Sequence, residues 1–365
     1  MKLQNLIDIV NVPSFDTKNN QKIIELLIEK FQPFSKEILK IKNPNSNIFN
    51  LLIGLNTKLQ NVNNAIVLSG HIDTVPADTK KYKTNPLEAT LANGKLFGLG
   101  VIDMKCFFAS ILDNIEVIKN LSLPVVVAIT GDEETTFEGI KQITKTMKAK
   151  NINPFFSIIG EPTSLDVCVS SKSCYEFEVT VLGKGCHSSA PKNGINANYI
   201  ISKLANFIEK ISLSQKNTTA SVGLISGGEA VNIVSPKATL NFDIRSDSTK
   251  KVQKLLKNIE KFIKKLKNKY KGAEFLTKTK FAIPALEDKK SSLVSKICNT
   301  LCLAQNEFKA GAEASYFQEL GGDAIIFGTG NLALAHKPNE YLLISDYEKY
   351  NELLIKMLDI ICKNV

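Results

Sequence analysis

Tryptophan is absent from this 365-residue chain, and arginine occurs once, at position 245, among 46 basic residues. Histidine is nearly as scarce, with three in all. No apolar run approaches the ~20 residues that a membrane-spanning helix needs, so a spanning helix and a membrane partner are not expected. The seven cysteines contain no Cys-x-x-Cys pair and are odd in number, which argues against a disulfide framework. They read as reduced thiols, with Cys298 and Cys302, one helical turn apart, on a core face. The amino end has Leu3, Leu6, Ile7 and Val10 at helical spacing and an acid at Asp8. It therefore reads as an amphipathic helix and not a signal peptide, and a cytoplasmic location is expected.

The net charge of +10 permits an acidic partner such as nucleic acid. The excess is lysine spread along the whole chain, however, much of it on solvated helix faces. In 249–270 the lysines surround a buried stripe of Val252, Leu255, Leu256, Ile259, Phe262, Ile263 and Leu266. Nucleic acid is accordingly not an expected partner.

What the chain does contain, 44% hydrophobic and 22% charged residues, is enough for a sizeable core divided into two domains. Four apolar strands end in glycine or a loop and then in acids or imidazole. Residues 65–68 lead through Gly70 to His71 and Asp73. A glycine-rich loop, Gly98-Leu-Gly-Val-Ile-Asp103-Met-Lys105, opens an apolar helix. Residues 124–130 lead to Gly131-Asp-Glu133-Glu134, and 154–159 lead to Gly160-Glu161. Late in the chain 324–327 is a further buried strand, and the loop after it carries His336 and Glu340. Continuous apolar strands alternating with helices imply a mostly parallel sheet covered on both faces, and ligands gather at the carboxyl ends of such strands. The fold class expected is therefore α/β.

From 170 to 280 the character changes. Strand 175–182, helix 194–211, strands 220–226 and 238–245, helix 249–270 and strand 274–280 follow the βαββαβ order of a ferredoxin-like α+β unit. This reads as an insertion between the two parts of a catalytic domain, 1–169 and 281–365. The last helix is expected to open at Ser345 with Glu348 completing a capping box, and to run to 362.

Two imidazoles, His71 and His336, with the carboxylates of Asp103, Glu134 and Glu161 in matching positions suit two divalent ions about 3.5–4 Å apart, zinc first and cobalt as an alternative. Clustered carboxylates would otherwise repel one another and take up protons. Of the adjacent Glu133 and Glu134, one can ligate while the other moves protons, because consecutive side chains diverge. Asp73 is spaced to accept the free ring N–H of His71. Arg245, kept where every other cation is lysine, has the planar fork that a carboxylate clamp requires.

The motifs His71-Ile-Asp-Thr-Val-Pro, Gly98 to Lys105, Thr130-Gly-Asp-Glu-Glu and Ile159-Gly-Glu-Pro-Thr resemble those of the dizinc aminoacylase, carboxypeptidase and deacetylase family. Gly183-Lys-Gly-Cys-His-Ser-Ser-Ala-Pro, Gly311-Ala-Glu-Ala-Ser-Tyr-Phe-Gln and Ala333-Leu-Ala-His-Lys-Pro-Asn-Glu340 extend the resemblance over nearly the whole chain. It implies a hydrolase acting on a small N-acyl amino acid, working as a homodimer through the inserted domain. His71, Asp103 and Glu161 would hold one ion, and Asp103, Glu134 and His336 the other. Glu133 would be the general base, Asp73 the partner of His71, and His187 an oxyanion donor from the dimer mate. Asn232, Arg245 and Glu313 would bind the substrate. Leu99, Cys106 and Cys186 stand where the family commonly has arginine, glycine, and alanine or glycine.

Overall fold

The computed structural model describes residues 3–16 and 18–365, which divide into two compact units. The first comprises residues up to Ser170, Asp288–Phe308 and Ala312–Val365; the second comprises Ser171–Glu287 and Lys309–Gly311. In chain order the strands are β1 (Glu37–Lys42), β2 (Phe49–Gly54), β3 (Val62–His71), β4 (Thr90–Ala92), β5 (Lys95–Phe97), β6 (Val125–Thr130), β7 (Ile152–Ile159) and β8 (Val167–Ser171). They continue with β9 (Ser173–Leu182), β10 (Thr218–Gly227), β11 (Lys237–Ser246), β12 (Glu274–Ile283), β13 (Gln305–Phe308), β14 (Asp323–Ile326) and β15 (Tyr341–Leu343).

The first unit is built on a sheet of order β1-β2-β6-β3-β7-β14-β8-β13. Its middle, β6-β3-β7-β14, is parallel, while the β1–β2, β2–β6 and β14–β8 pairings are antiparallel. The apolar runs form these strands because both faces are covered: every residue of β6 is buried, and Ile66 and Leu68 of β3 lie in the main core with Val125 and Val127 of β6. Truncating one such residue, as in Leu68→Ala, removes about 2–5 kcal/mol. Register then places the chemistry. His71 pairs with Thr130, and Ser69 with Ile159, so the loops that leave β3, β6 and β7 emerge side by side at one edge.

Two glycines are required there. Gly160 has no room for a side chain, since a Cβ would lie 2.1 Å from the Phe107 ring. Gly100 has φ +72, a left-handed conformation that starts the turn carrying Asp103.

The second unit has the expected βαββαβ order, with helices Ala197–Leu213 and Thr249–Lys269 and a sheet of order β10-β11-β9-β12. It reaches Glu287, past 280, because β12 continues to Ile283 and Ser171 bridges to Leu286. Along Thr249–Lys269, Val252, Leu255, Ile259 and Leu266 of the expected stripe are buried, while Leu256, Phe262 and Ile263 pack against that core half-buried.

Two local expectations fail. The last helix is Ile344–Cys362 and has no side-chain cap. It grows directly out of β15, with the Ile344 amide donating to the Gly94 carbonyl, so Ser345 already lies inside the first turn and no capping box forms. Cys298 is buried, but Cys302 is exposed: it ends helix Ser292–Leu301 in a left-handed conformation that turns it out of the core.

Candidate dinuclear metal centre

The imidazole of His71 is buried, with Nδ1 2.9 Å from the backbone carbonyl of Asp73 and Nε2 3.0 Å from Oδ1 of Asp103. Glu161 lies beyond, its Oε1 3.8 Å from the same Nε2 and without a hydrogen bond although buried. The other oxygen of Asp103, Oδ2, is 3.1 Å from Nε2 of His336, which is 2.7 Å from Oε1 of Glu134. Three groups of possible ligands result, His71–Asp103–Glu161, Asp103–Glu134–His336 and His71–Glu133–Glu134, with Asp103 offering one oxygen to each of the first two. The first two are the groups that the family resemblance implies.

His336 stands at φ 60 and is half exposed; Asp103 follows Gly100 in a tight turn whose Asp103–Met104 peptide is cis.

Burial and neighbouring charges shift the proton affinities in this cluster. Burial works against a charged His71, but Asp103 and Asp73 outweigh it and push the imidazole well above its usual range. Hydrogen bonds to Asp103 and Glu134 push His336 up to about 10. Burial likewise opposes ionisation of Asp103, yet hydrogen bonds from His336 and His71 hold its carboxyl well below the carboxylate range. Burial drives Glu161 well upward, against the attraction of His71. A buried carboxylate oxygen without a donor, beside nitrogen and oxygen ligands shared through one aspartate, fits a pair of borderline divalent ions.

Glu133 is placed for a different task. It is half-buried, and loss of solvation pushes its carboxyl well above the ordinary value, with His71 opposing and Glu161 and Glu134 adding repulsion. A carboxyl raised in this way holds a proton more readily than a solvated glutamate does.

Asp73 serves more than His71. Its Oδ1 lies 3.6 Å from Nδ1 of His71, while its two oxygens accept the Glu133 and Glu134 amides at 3.1 and 3.0 Å. The same carboxylate therefore fixes the backbone of both adjacent glutamates. Asp132 supports the turn by accepting the Gly139 amide at 2.7 Å, the Glu138 amide at 3.1 Å and the Thr136 hydroxyl.

Glu313 is sealed at 1% exposure beside Thr130, and burial pushes its carboxyl up to about 8, the Thr130 hydroxyl opposing. Leu99 and Cys106 are buried; Cys106 packs among core residues, its thiol 3.8 Å from the Ile102 carbonyl.

In the second unit His187 and Asn232 come together: the Ser188 amide donates to the Asn232 carbonyl at 2.9 Å, and His187 bridges to Ile233. Ser189 was not singled out by sequence, although a serine two residues past a histidine is a local side-chain-to-backbone signal. Its amide donates to Nδ1 of His187 at 3.2 Å, with its hydroxyl at 2.8 Å. An accepting Nδ1 leaves Nε2 as the proton-bearing nitrogen, the tautomer that an oxyanion donor needs. Arg245 lies apart from both. It is eight residues along β11 from Lys237, roughly 27 Å from the strand end at which the His187–Asn232 ribbon joins. Its Nε donates to Oδ2 of Asp243 at 2.8 Å.

A mostly parallel sheet that collects two imidazoles and three carboxylates, one of them a shared aspartate, with a further half-buried glutamate beside them, defines a dinuclear metallohydrolase. The chain belongs to the peptidase family M20/M25/M40, whose sequence model matches residues 67–359. It is similar to an acetylornithine deacetylase of Buchnera aphidicola from Schizaphis graminum, 31% identical over 98% of this chain and 97% of that one. An acetylornithine deacetylase of Pasteurella multocida is 30% identical over 96% and 93% of the two chains. Among solved structures, a tripeptidase of Staphylococcus aureus shares the fold with a TM-score of 0.75 at 20% identity, over 100% and 98% of the chains. A dinuclear metal-binding peptidase of Bacillus subtilis does so with a TM-score of 0.68 at 16% identity, over 100% and 98%. Among the described residues, no helix is long and apolar enough to cross a membrane.

Proposed function

We propose that this enzyme hydrolyses N2-acetyl-L-ornithine to L-ornithine and acetate, a step of arginine biosynthesis, in the cytoplasm and with two zinc ions, cobalt substituting. The observation that carries hydrolysis is the division of labour at Asp103, Glu134 and Glu133: two acids face the imidazoles and the third is left free to move a proton. The choice of substrate rests on the acetylornithine deacetylases to which the chain is similar.

His71, Asp103 and Glu161 would hold one ion and Asp103, Glu134 and His336 the other. The ions would supply Lewis-acid polarisation of the amide carbonyl. Glu133 takes a proton from the attacking water, keeps it while the tetrahedral carbon forms, and delivers it to the departing amine. Asp73 holds Glu133 at the required angle through its amide. His187 donates from Nε2 to the developing oxyanion, Asn232 contributes from the same ribbon, and Arg245 grips the substrate α-carboxylate in place of Asp243. Glu313, sealed from solvent, acts on the substrate through its field and not by contact.

We propose further that His187 and Asn232 serve the partner subunit of a homodimer while Arg245 serves its own. Their separation along β11 supports this, because one small substrate spans far less than roughly 27 Å. So does β10, an edge strand with Leu224 and Ile225 exposed, beside helix Ala197–Leu213 with Tyr199 exposed.

A panel of N-acetyl and N-succinyl amino acids and dipeptides, assayed with zinc and with cobalt, tests the reading. N2-acetyl-ornithine is expected to have the highest kcat/KM; a higher value for an N-succinyl substrate or a dipeptide overturns it. The same panel tests Arg245. Arg245→Lys keeps the charge and loses the fork, and one charge-assisted bond is worth ~1.5–3 kcal/mol, a fall of roughly tenfold to a hundredfold in kcat/KM. The penalty should nearly vanish on the α-amide of acetyl-ornithine. An equal penalty on both substrates means that Arg245 only supports β11.

A further inference from the structure

Beyond the ligands and Glu133, the first unit buries Asp73, Asp132, Glu313 and Glu340, and the last of these bonds to the turn that carries Asp103. Glu340 is 3% exposed and lies four residues after His336. Its Oε1 accepts the Ile102 amide at 2.9 Å and its Oε2 the Gly100 amide at 3.2 Å, while its own carbonyl accepts the Gly98 amide at 3.4 Å. The next residue, Tyr341, pairs with Phe97 across β15 and β5. The segment that delivers His336 is therefore zipped, residue by residue, to the turn that delivers Asp103. On the far side of that turn Lys105 is also buried, and its ammonium donates to the Val12 carbonyl at 2.8 Å within electrostatic reach of Glu340. Burial pushes the Glu340 carboxyl up to about 8, with the Ile102 amide opposing, and the Lys105 ammonium down to about 7, with Glu340 opposing.

We infer that Glu340 is a positioning residue for the metal centre: its two amide bonds fix the Gly100–Ile102 turn so that Oδ2 of Asp103 stays 3.1 Å from His336, the gap across which the Asp103–Glu134–His336 ion is held. The inference rests on the two-ion reading of the site. Geometry favours this role over plain core support. Glu340 grips only the turn that carries the bridging ligand, and it does so from the segment that carries another ligand of the same ion. The turn also has little freedom to be held otherwise, since Gly100 is left-handed and a Cβ there would lie 2.4 Å from Thr74.

The experiment is a calorimetric titration of metal-depleted protein with Zn2+ in a competing chelator, for wild type, Glu340→Gln and Glu340→Asp. Glutamine can accept one of the two amides, but its NH2 confronts the other donor, so one side of the turn is released. The expected result is a second zinc equivalent bound about 10–100-fold more weakly than in wild type, the range for loss of a group that orients a ligand, with the first equivalent weakened less. Glu340→Asp keeps the charge but shortens the reach, and it should weaken the same equivalent. It also serves as the test if the glutamine variant does not fold. Tyr347→Phe, which removes a buried hydrogen bond to Asp113 in the same unit, is the structural control. It should lower the melting temperature and leave both zinc steps unchanged. Zinc isotherms of both Glu340 variants that superimpose on wild type overturn the inference, as does an equal shift produced by Tyr347→Phe. Wild type that binds fewer than two zinc ions removes instead the reading on which the inference stands.

Discussion

Glu133→Ala is expected to keep both metal ions and to lose roughly two to four powers of ten in kcat, the span that a general acid–base group supplies. His336 is paired by Glu134 and Asp103, so on the proposed ligand sets the substitution takes away the proton carrier and no ligand. Asp73 still holds the Glu134 amide at 3.0 Å, which keeps the neighbouring ligand aimed. Metal analysis of the purified variant, set beside steady-state kinetics, checks the assignment. Lost ions in Glu133→Ala, with retained ions in Glu134→Ala, would mean that the adjacent acids have exchanged roles.

His187→Ala should cost ~10²–10³ in kcat with metal content unchanged, as expected for one oxyanion donor. The proposed dimer makes a sharper statement. An equimolar mixture of inactive His187→Ala and inactive Glu133→Ala, after subunit exchange, has half its dimers mixed. Each mixed dimer pairs one intact Glu133 with an intact His187 from its partner, so about a quarter of wild-type activity should return. No recovery after proven exchange excludes a shared site. Ser189→Ala offers a milder version, because it removes the hydroxyl beside Nδ1 but leaves the amide that sets the tautomer.

The parallel strands were legible because burial on both faces leaves almost only apolar residues, as in β6, and the candidate ligands other than Asp103, which sits on a glycine-rich loop, were legible because they come after such runs. The pairing of ligands across the sheet was less a matter of pattern than of family resemblance; periodicity places His71 and Glu161 at strand ends but cannot say which acid each one meets. Asp73 illustrates the limit. Two residues after a histidine it reads as that ring's partner, whereas its carboxylate spends both oxygens on amides some 60 residues away in sequence. Glu340 is hidden for the same reason: its partners, Gly100 and Ile102, are 240 and 238 residues away, and only β15 against β5 brings them together. Ser345 shows the opposite error. Its local signal for a helix start is sound, but the tertiary pairing of β15 begins the helix one residue sooner. The partner of Arg245 was available to a period-two reading, since Asp243 lies two residues back on the same face of β11.

The central claim is that Asp103 gives one oxygen to each of two ions. Metal-depleted protein titrated with Co2+ and followed by visible absorption and electron paramagnetic resonance tests it directly. Two equivalents per chain with spin coupling between them, and loss of the coupling in Asp103→Ala, is the predicted result. Saturation at one equivalent, or two equivalents that stay coupled in Asp103→Ala, would contradict it.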